Sequence, residues 1–270
     1  MATPVLSFLG AGNMGEAMLR GLAQSGHTRG DLRAYDPRSE RLQELAKDVA
    51  FTPLGSLVEA VSGCDVLVLA VKPQSLDGVL AQLGPLVQSR QAVVSIAAGV
   101  RLERIQKALS PGVPVIRVMP NTPGLIGQGI SAYCLGSSAG ETHAALAEAL
   151  LKPLGKILRT REQDMDAVTA LSGSGPAYVF LFMEALLAAG ADLGLGVDAA
   201  FLLAGQTLAG AAAMIQAGSK SPAELRAAVT SPGGTTAAAL KVFEEGGLKD
   251  LVRKALLAAR DRSAELGRLS

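Results

Sequence analysis

Three glycines at fixed spacing, Gly10, Gly12 and Gly15, follow the apolar run Val5–Leu9 and open a helical pattern over Asn13–Gln24. No other feature constrains the chain as much, because few folds join a strand, a tight turn and a helix in this order. Gly10 allows the turn, Gly12 lets backbone approach a pyrophosphate, and Gly15 permits close helix–strand packing. The free N–H groups of Asn13 and Met14 sit at the positive end of the new helix, where a phosphate is stabilised. The pattern predicts a bound dinucleotide.

The first 160 residues continue the alternation that this unit starts. Short β-branched runs at Leu32–Tyr35, Val66–Val71, Ala92–Ile96, Val115–Val118 and Ile130–Cys134 alternate with helical patterns such as Ser39–Lys47. Such alternation means βαβ units and a parallel sheet. Beyond residue 160 the strands stop, and helical patterns cover 162–170, 175–193, 198–217, 222–229, 235–245 and 248–265. Ser221-Pro222-Ala223-Glu224 starts one of these helices, with Ser as N-cap and Pro at the first position. Gly246-Gly247 ends another. The expected architecture is α/β, with a Rossmann-like dinucleotide-binding domain over 1–160 and an all-helical domain over 161–270. The helical half is rich in Ala and poor in large side chains, so part of its core is expected from a second subunit.

Composition removes several classes. Net charge is +1 and aromatic residues make up 3% with no Trp, so neither nucleic acid nor an anionic membrane surface is a favoured partner. Cys64 and Cys134 stand 70 residues apart, with no metal spacing, and read as buried thiols in a reducing, cytoplasmic setting. No basic n-region precedes the first apolar run, so no secretory leader is expected. Residues 199–219 are uncharged and long enough to span a bilayer, but Ala, Gly, Gln206, Thr207 and Gln216 dominate. They read as a helix buried in protein, with no membrane implied.

Candidate site residues lie at strand ends. Asp36, 21 residues after Gly15, can accept hydrogen bonds from ribose hydroxyls and favours NAD, whereas Arg38 and Arg41 could meet the 2′-phosphate of NADP. The two readings conflict, so the cofactor is NADPH or NADH. Ala70-Val71-Lys72-Pro73 and Ala97-Ala98 follow two further strands, on the side where open α/β sheets bind ligands. Asn121, between Pro120 and Pro123, can orient an amide or carboxylate. In the helical half, Ser231-Pro232-Gly233-Gly234-Thr235-Thr236 is a turn of small hydrogen-bonding residues at a helix start, suited to an anion. Ser172–Pro176 puts small residues together, with Ser174 as the expected N-cap of the next helix.

Taken together, the chain resembles the pyrroline-5-carboxylate reductase family over essentially its whole length. The resemblance rests on Phe8–Gly15, Ala70–Gln74, Ser95–Gly99, Met119–Pro123, Leu171–Tyr178 and Thr230–Thr236, of which the last two are highly specific. It implies hydride transfer from NAD(P)H to the C=N carbon of 1-pyrroline-5-carboxylate, giving L-proline. It also implies a helical dimerisation domain, subunits that interlock as dimers, and a decameric ring. By the same match Ser231, Gly233, Gly234 and Thr235 would hold the substrate carboxylate. Thr236 would meet the ring nitrogen, and Ser174 the nicotinamide. The chain departs from the family at Asp36 and at Ser56-Leu57, which leaves the usual NADPH preference open.

Two alternatives fit fewer residues. A β-hydroxyacid dehydrogenase would carry a catalytic Lys soon after a Gly/Ser-rich turn, but Ser172–Pro176 leads into Ala177–Met183 with no Lys. A non-catalytic dinucleotide sensor would keep the first glycines and have no use for Ser231–Thr236. The two histidines, His27 and His143, fall outside every motif and read as surface residues, so no His-based acid–base pair is expected.

Overall fold

The structure, a computed structural model, describes residues 3–269. Its elements in chain order are β1 (Leu6–Leu9), α1 (Asn13–Gln24), β2 (Leu32–Tyr35), α2 (Ser39–Leu45), β3 (Thr52–Pro53) and α3 (Leu57–Val61). Then come β4 (Val66–Leu69), α4 (Leu76–Leu83), β5 (Ala92–Ser95), α5 (Leu102–Ala108), β6 (Val115–Met119), β7 (Gly129–Leu135), α6 (Glu141–Leu151) and β8 (Gly155–Arg159). The helical part comprises α7 (Met165–Val168), α8 (Gly175–Asp192), α9 (Val197–Gln216), α10 (Pro222–Ala228), α11 (Thr235–Glu245) and α12 (Leu248–Leu269).

The eight strands form one sheet in the order β3-β2-β1-β4-β5-β6-β7-β8. The order reverses between β1 and β4, so the loops leaving their carboxyl ends part and open a crevice there. β1, β4 and β5 are buried at every residue, as near-continuous apolar strands covered on both faces must be. One core cluster includes Phe8, Met18 and Leu22 on one side of the sheet; the other includes Leu69, Leu80 and Ile105.

The sheet is not wholly parallel, which corrects the expectation. β7 runs antiparallel to β6. A parallel return needs a crossover of about a dozen residues or more, and the connection over 120–128 is a short turn closed by Gly127 at φ 69°. β8 then pairs parallel with β7 through the α6 crossover.

The described residues divide into two compact units, one of residues 3–176 and 258–269, the other of Ala177–Leu257. In the first, the end of α12 is tied down by Ser263 Oγ donating to Asp166 Oδ1 at 2.7 Å. The second is helical, and its only buried residues are Gly190 and Ala200. Their close approach brings α8 and α9 together: a Cβ on Gly190 would stand 3.2 Å from that of Ala200. The expectation that 199–219 lies buried is therefore wrong for a lone chain. Phe201, Leu202 and Leu203 on α9 are 62%, 70% and 57% exposed.

The helix starts follow their local chemistry. Ser221 Oγ accepts from the Glu224 N–H at 3.3 Å while the Glu224 carboxylate accepts from the Ser221 N–H at 2.8 Å, a complete capping box for α10. Ser174, in contrast, is the C-cap residue of the turn before α8 and lacks the extended backbone of an N-cap. It has helical φ −86° and ψ −16°, and its N–H donates to Thr169 O at 2.9 Å, so the chain runs through a π-helical turn over Thr169–Gly173 into α8.

Candidate functional site

Gly10 and Gly15 are dictated by sterics. Gly10 has φ 101°, and a Cβ there would stand 2.6 Å from Ala70 O. One on Gly15 would stand 2.4 Å from Gly10 O. The turn is thus wedged between the ends of β1 and β4. Gly12 is different: its φ of −68° suits any residue, and a Cβ there would meet nothing within 4 Å. Steric need inside the protein does not explain this glycine, whereas room for a ligand against the backbone does.

A cavity of about 480 Å³ opens at the crevice, lined by Gly10, Gly12, Tyr35, Asp36, Pro37, Arg38, Leu57, Ala70, Val71 and Lys72 among others. Seven of the expected cofactor residues therefore come together here. Met14 is half-buried against the core and Asn13 is exposed at the start of α1. A second cavity of about 640 Å³ in the same unit gathers Pro73, Ala98 and Ser174, with Gln74 and Gly99 from the same motifs and Thr169, which no motif singled out. Ala97 is 3% exposed and packs in the core, directly before Ala98 at the wall of the second cavity.

The glycine turn is held from both sides. Ala11 N–H donates to Asp36 Oδ2 at 3.0 Å, and Arg41 Nε donates to Ala11 O at 3.2 Å. Arg41 also pairs with Glu16, which in turn holds Arg20. Burial would raise the Glu16 carboxyl, but its hydrogen bond from Arg20 and the charges of Arg41 and Arg20 hold it below the usual range. The same opposition acts at Asp36. Burial pushes its pKa up, and hydrogen bonds from Arg38, from Ala11 N–H and from Arg38 N–H more than offset that. Asp36 is therefore a carboxylate at neutral pH.

The Asn121 amide is engaged within the protein on both sides. Its Oδ1 accepts from Ile130 N–H at 3.0 Å, and its Nδ2 reaches Ser172 O and Oγ at 3.4 Å each.

In the second unit, Gly233 turns the chain at φ 69° and Gly234 is the N-cap residue of α11, with no side chain capping it. The Gly234 N–H donates to Ser231 O at 3.1 Å. The first-turn N–H groups of Thr235 and Thr236 have no intrahelical partner. Ser231 and Thr235 are exposed and Thr236 half-buried.

The thiols and histidines lie apart from this chemistry. Cys64 and Cys134 are buried, and burial pushes both thiols up. Glu162 collects Cys134 Sγ, the 3%-exposed Arg117 and the Leu102 N–H, a junction no sequence motif announces. His27 and His143 are half-buried rather than free at the surface, His27 Nδ1 lying 3.1 Å from Leu22 O and His143 Nδ1 accepting from Gly140 N–H.

A wedged glycine turn at a strand-order reversal, beside a cavity with room for a nucleotide, defines the class of NAD(P)-dependent oxidoreductases. Comparison with known proteins agrees and narrows it. Residues 5–99 match the family profile "NADP oxidoreductase coenzyme F420-dependent", and residues 162–266 match "Pyrroline-5-carboxylate reductase dimerisation". The chain is 44% identical over 267 residues to a pyrroline-5-carboxylate reductase of Pseudomonas aeruginosa, covering 98% of each. It is 41% identical to that of Glycine max, over 97% of this chain and 95% of the relative. Among solved structures, the reductase of Coxiella burnetii superposes with a TM-score of 0.92 at 35% identity, covering 98% of this chain and 99% of that one. A Plasmodium falciparum pyrroline carboxylate reductase with NADP bound gives 0.88 at 32%, covering 99% of each chain. The chain belongs to the pyrroline-5-carboxylate reductase family. A 3-hydroxyisobutyrate dehydrogenase of Mycobacterium tuberculosis, at 18% identity and a TM-score of 0.54, shares only the fold.

Proposed function

We propose that this protein reduces 1-pyrroline-5-carboxylate to L-proline with NAD(P)H, the last step of proline biosynthesis. Family membership over nearly the full chain carries this reading. On the reading, residues 1–160 serve the cofactor, and 161–270 serve dimerisation and substrate. Bound NAD(P)H supplies a hydride to the imine carbon, and the imine nitrogen takes a proton. The cavity at Gly12 would hold the phosphates and ribose, and Ala98 and Ser174 the nicotinamide.

The substrate carboxylate is assigned to Ser231 and to the N–H groups of Thr235 and Thr236, where the open first turn of α11 favours an anion. The Thr236 hydroxyl would bond the ring nitrogen, so that orientation rather than a strong acid drives the reaction. A folded Thr236→Ala variant is expected to lose about 10-fold or more in kcat, the cost of one hydrogen bond. Initial rates of NADH and NADPH oxidation with 1-pyrroline-5-carboxylate test the function itself. No turnover from a folded, dinucleotide-binding protein would contradict it and leave the sensor reading.

The apolar faces of α8 and α9 are read as the surface another copy covers, in an interlocked dimer that can build a decamer. Continuous helix over Glu162–Asp192 and α9 are both long and apolar enough to cross a membrane. A cytoplasmic, soluble assembly is proposed instead, because α9 carries Gln206, Thr207 and Gln216 and self-association accounts for its exposure. Recovery without detergent supports this; a requirement for detergent contradicts it.

A further inference from the structure

We propose that Asn121 is a positioning residue for hydride transfer: it clamps the π-helical turn Thr169–Gly173, and the clamped turn sets where Ser174 stands in the reaction cavity. The inference rests on the proposed reduction, with Ala98 and Ser174 at the reacting end. It goes beyond that reading to what holds this end of the site in shape.

A π-helical turn is rare and appears mostly as a single turn within an α-helix, frequently at a functional site. Here it is closed by the Ser174 N–H, which donates to Thr169 O, five residues back, at 2.9 Å. Residues five apart stand about 140° apart around an α-helix and so face different ways. The π turn instead brings Thr169 and Ser174 to one side, and both line the cavity of about 640 Å³ together with Ala98.

The two ends of the turn are held differently. At its start, Thr169 Oγ1 donates to Met165 O at 2.8 Å, within its own helix. At its end, the hold comes from the sheet. Asn121, two residues beyond β6, donates from Nδ2 to both Ser172 O and Ser172 Oγ, at 3.4 Å each. Its Oδ1 accepts from Ile130 N–H on β7 at 3.0 Å, which fixes the amide in this orientation. Met119, the last residue of β6, lies so close to Gly173 that a Cβ there would overlap Met119 Cε.

Without the Asn121 amide the Ser172 carbonyl is released, and the segment is free to close into the tighter α-helical turn. That change rotates Ser174 away from Thr169 and reshapes the cavity wall. Hydride donor and acceptor must meet at about 3–3.5 Å, and a misplacement of about 1 Å costs up to about 100-fold in rate. The Gly12 cavity shares no lining residue with the turn or with Asn121, so nucleotide binding there is independent of the clamp.

Stopped-flow single turnovers of NAD(P)H with 1-pyrroline-5-carboxylate, run beside calorimetric titration with adenosine 5′-monophosphate, test this. Asn121→Ala is expected to slow hydride transfer about 10-fold or more, with affinity for the monophosphate unchanged. Asn121→Asp keeps an acceptor for the Ile130 N–H but has no donor for Ser172, so it should be slowed to a similar degree. A wild-type rate in either variant would overturn the proposal and leave the reductase reading intact. So would slow variants that have also lost the monophosphate, because the damage would then reach beyond the turn. No hydride transfer by folded wild type would overturn the reductase reading, and this proposal with it.

Discussion

The sheet-containing unit and the helical unit solve the burial problem differently. In the first, β1, β4 and β5 are buried at every position and large side chains such as Phe8, Phe51 and Tyr133 have no exposure. In the second, only Gly190 and Ala200 are buried, while Phe180, Leu181 and Phe201 stand 60%, 65% and 62% exposed. A unit with its own core can set a binding turn to atomic tolerance before any ligand arrives, as Gly10, Ala11 and Gly15 show. A unit of small-residue helices must obtain its core by association, and gains stability from it by mass action.

The difference can be attacked from both sides. The largest effect is expected for Phe201→Asp on α9. In a lone chain an exposed charge there costs little; in an assembly it buries an unpaired carboxylate, so loss of the oligomer by size-exclusion chromatography is predicted. An unchanged oligomer would mean that this face is not covered. Next, Phe8→Ala in β1 should cost about 3–5 kcal/mol by cavity formation. Its melting shift, followed by calorimetry, should not depend on protein concentration, whereas melting of the helical unit should.

A smaller global effect, confined to the site, is predicted for Gly10→Ala. Positive φ and the clash with Ala70 O displace the turn, so nucleotide binding is lost in titration while the oligomer persists. The smallest effect concerns acid. The folded pKa of Asp36 is lowered, so its contribution to stability is present above the unfolded value of about 3.9 and is lost as pH falls through the folded value. Asp36→Asn should therefore flatten the acid limb of the stability profile slightly and leave pH 7 to 8 unaffected in shape.

Much of this was legible in the sequence because the signals were local. The run Val5–Leu9, the glycines after it and the helix Asn13–Gln24 specify one another, and Thr235–Glu245 is bounded by its own turn residues. β8 escaped notice because Gly155–Arg159 is a largely exposed strand carrying Lys156 and Arg159, with little apolar pattern to find. The direction of β7 depends on how far the chain travels between strands, which periodicity does not report. The hydrogen bonds of Asp36 and Asn121 within the protein were not legible, because their partners Arg38, Ala11, Ile130 and Ser172 meet them in a geometry that only the fold sets.

The central claim is that one unit is complete alone and the other is completed by a second copy. Sedimentation velocity across a dilution series tests it most directly. The account predicts a dimer or a multiple of it, with any monomer that appears on dilution losing helical signal. A monomer that stays fully folded at every concentration would contradict it.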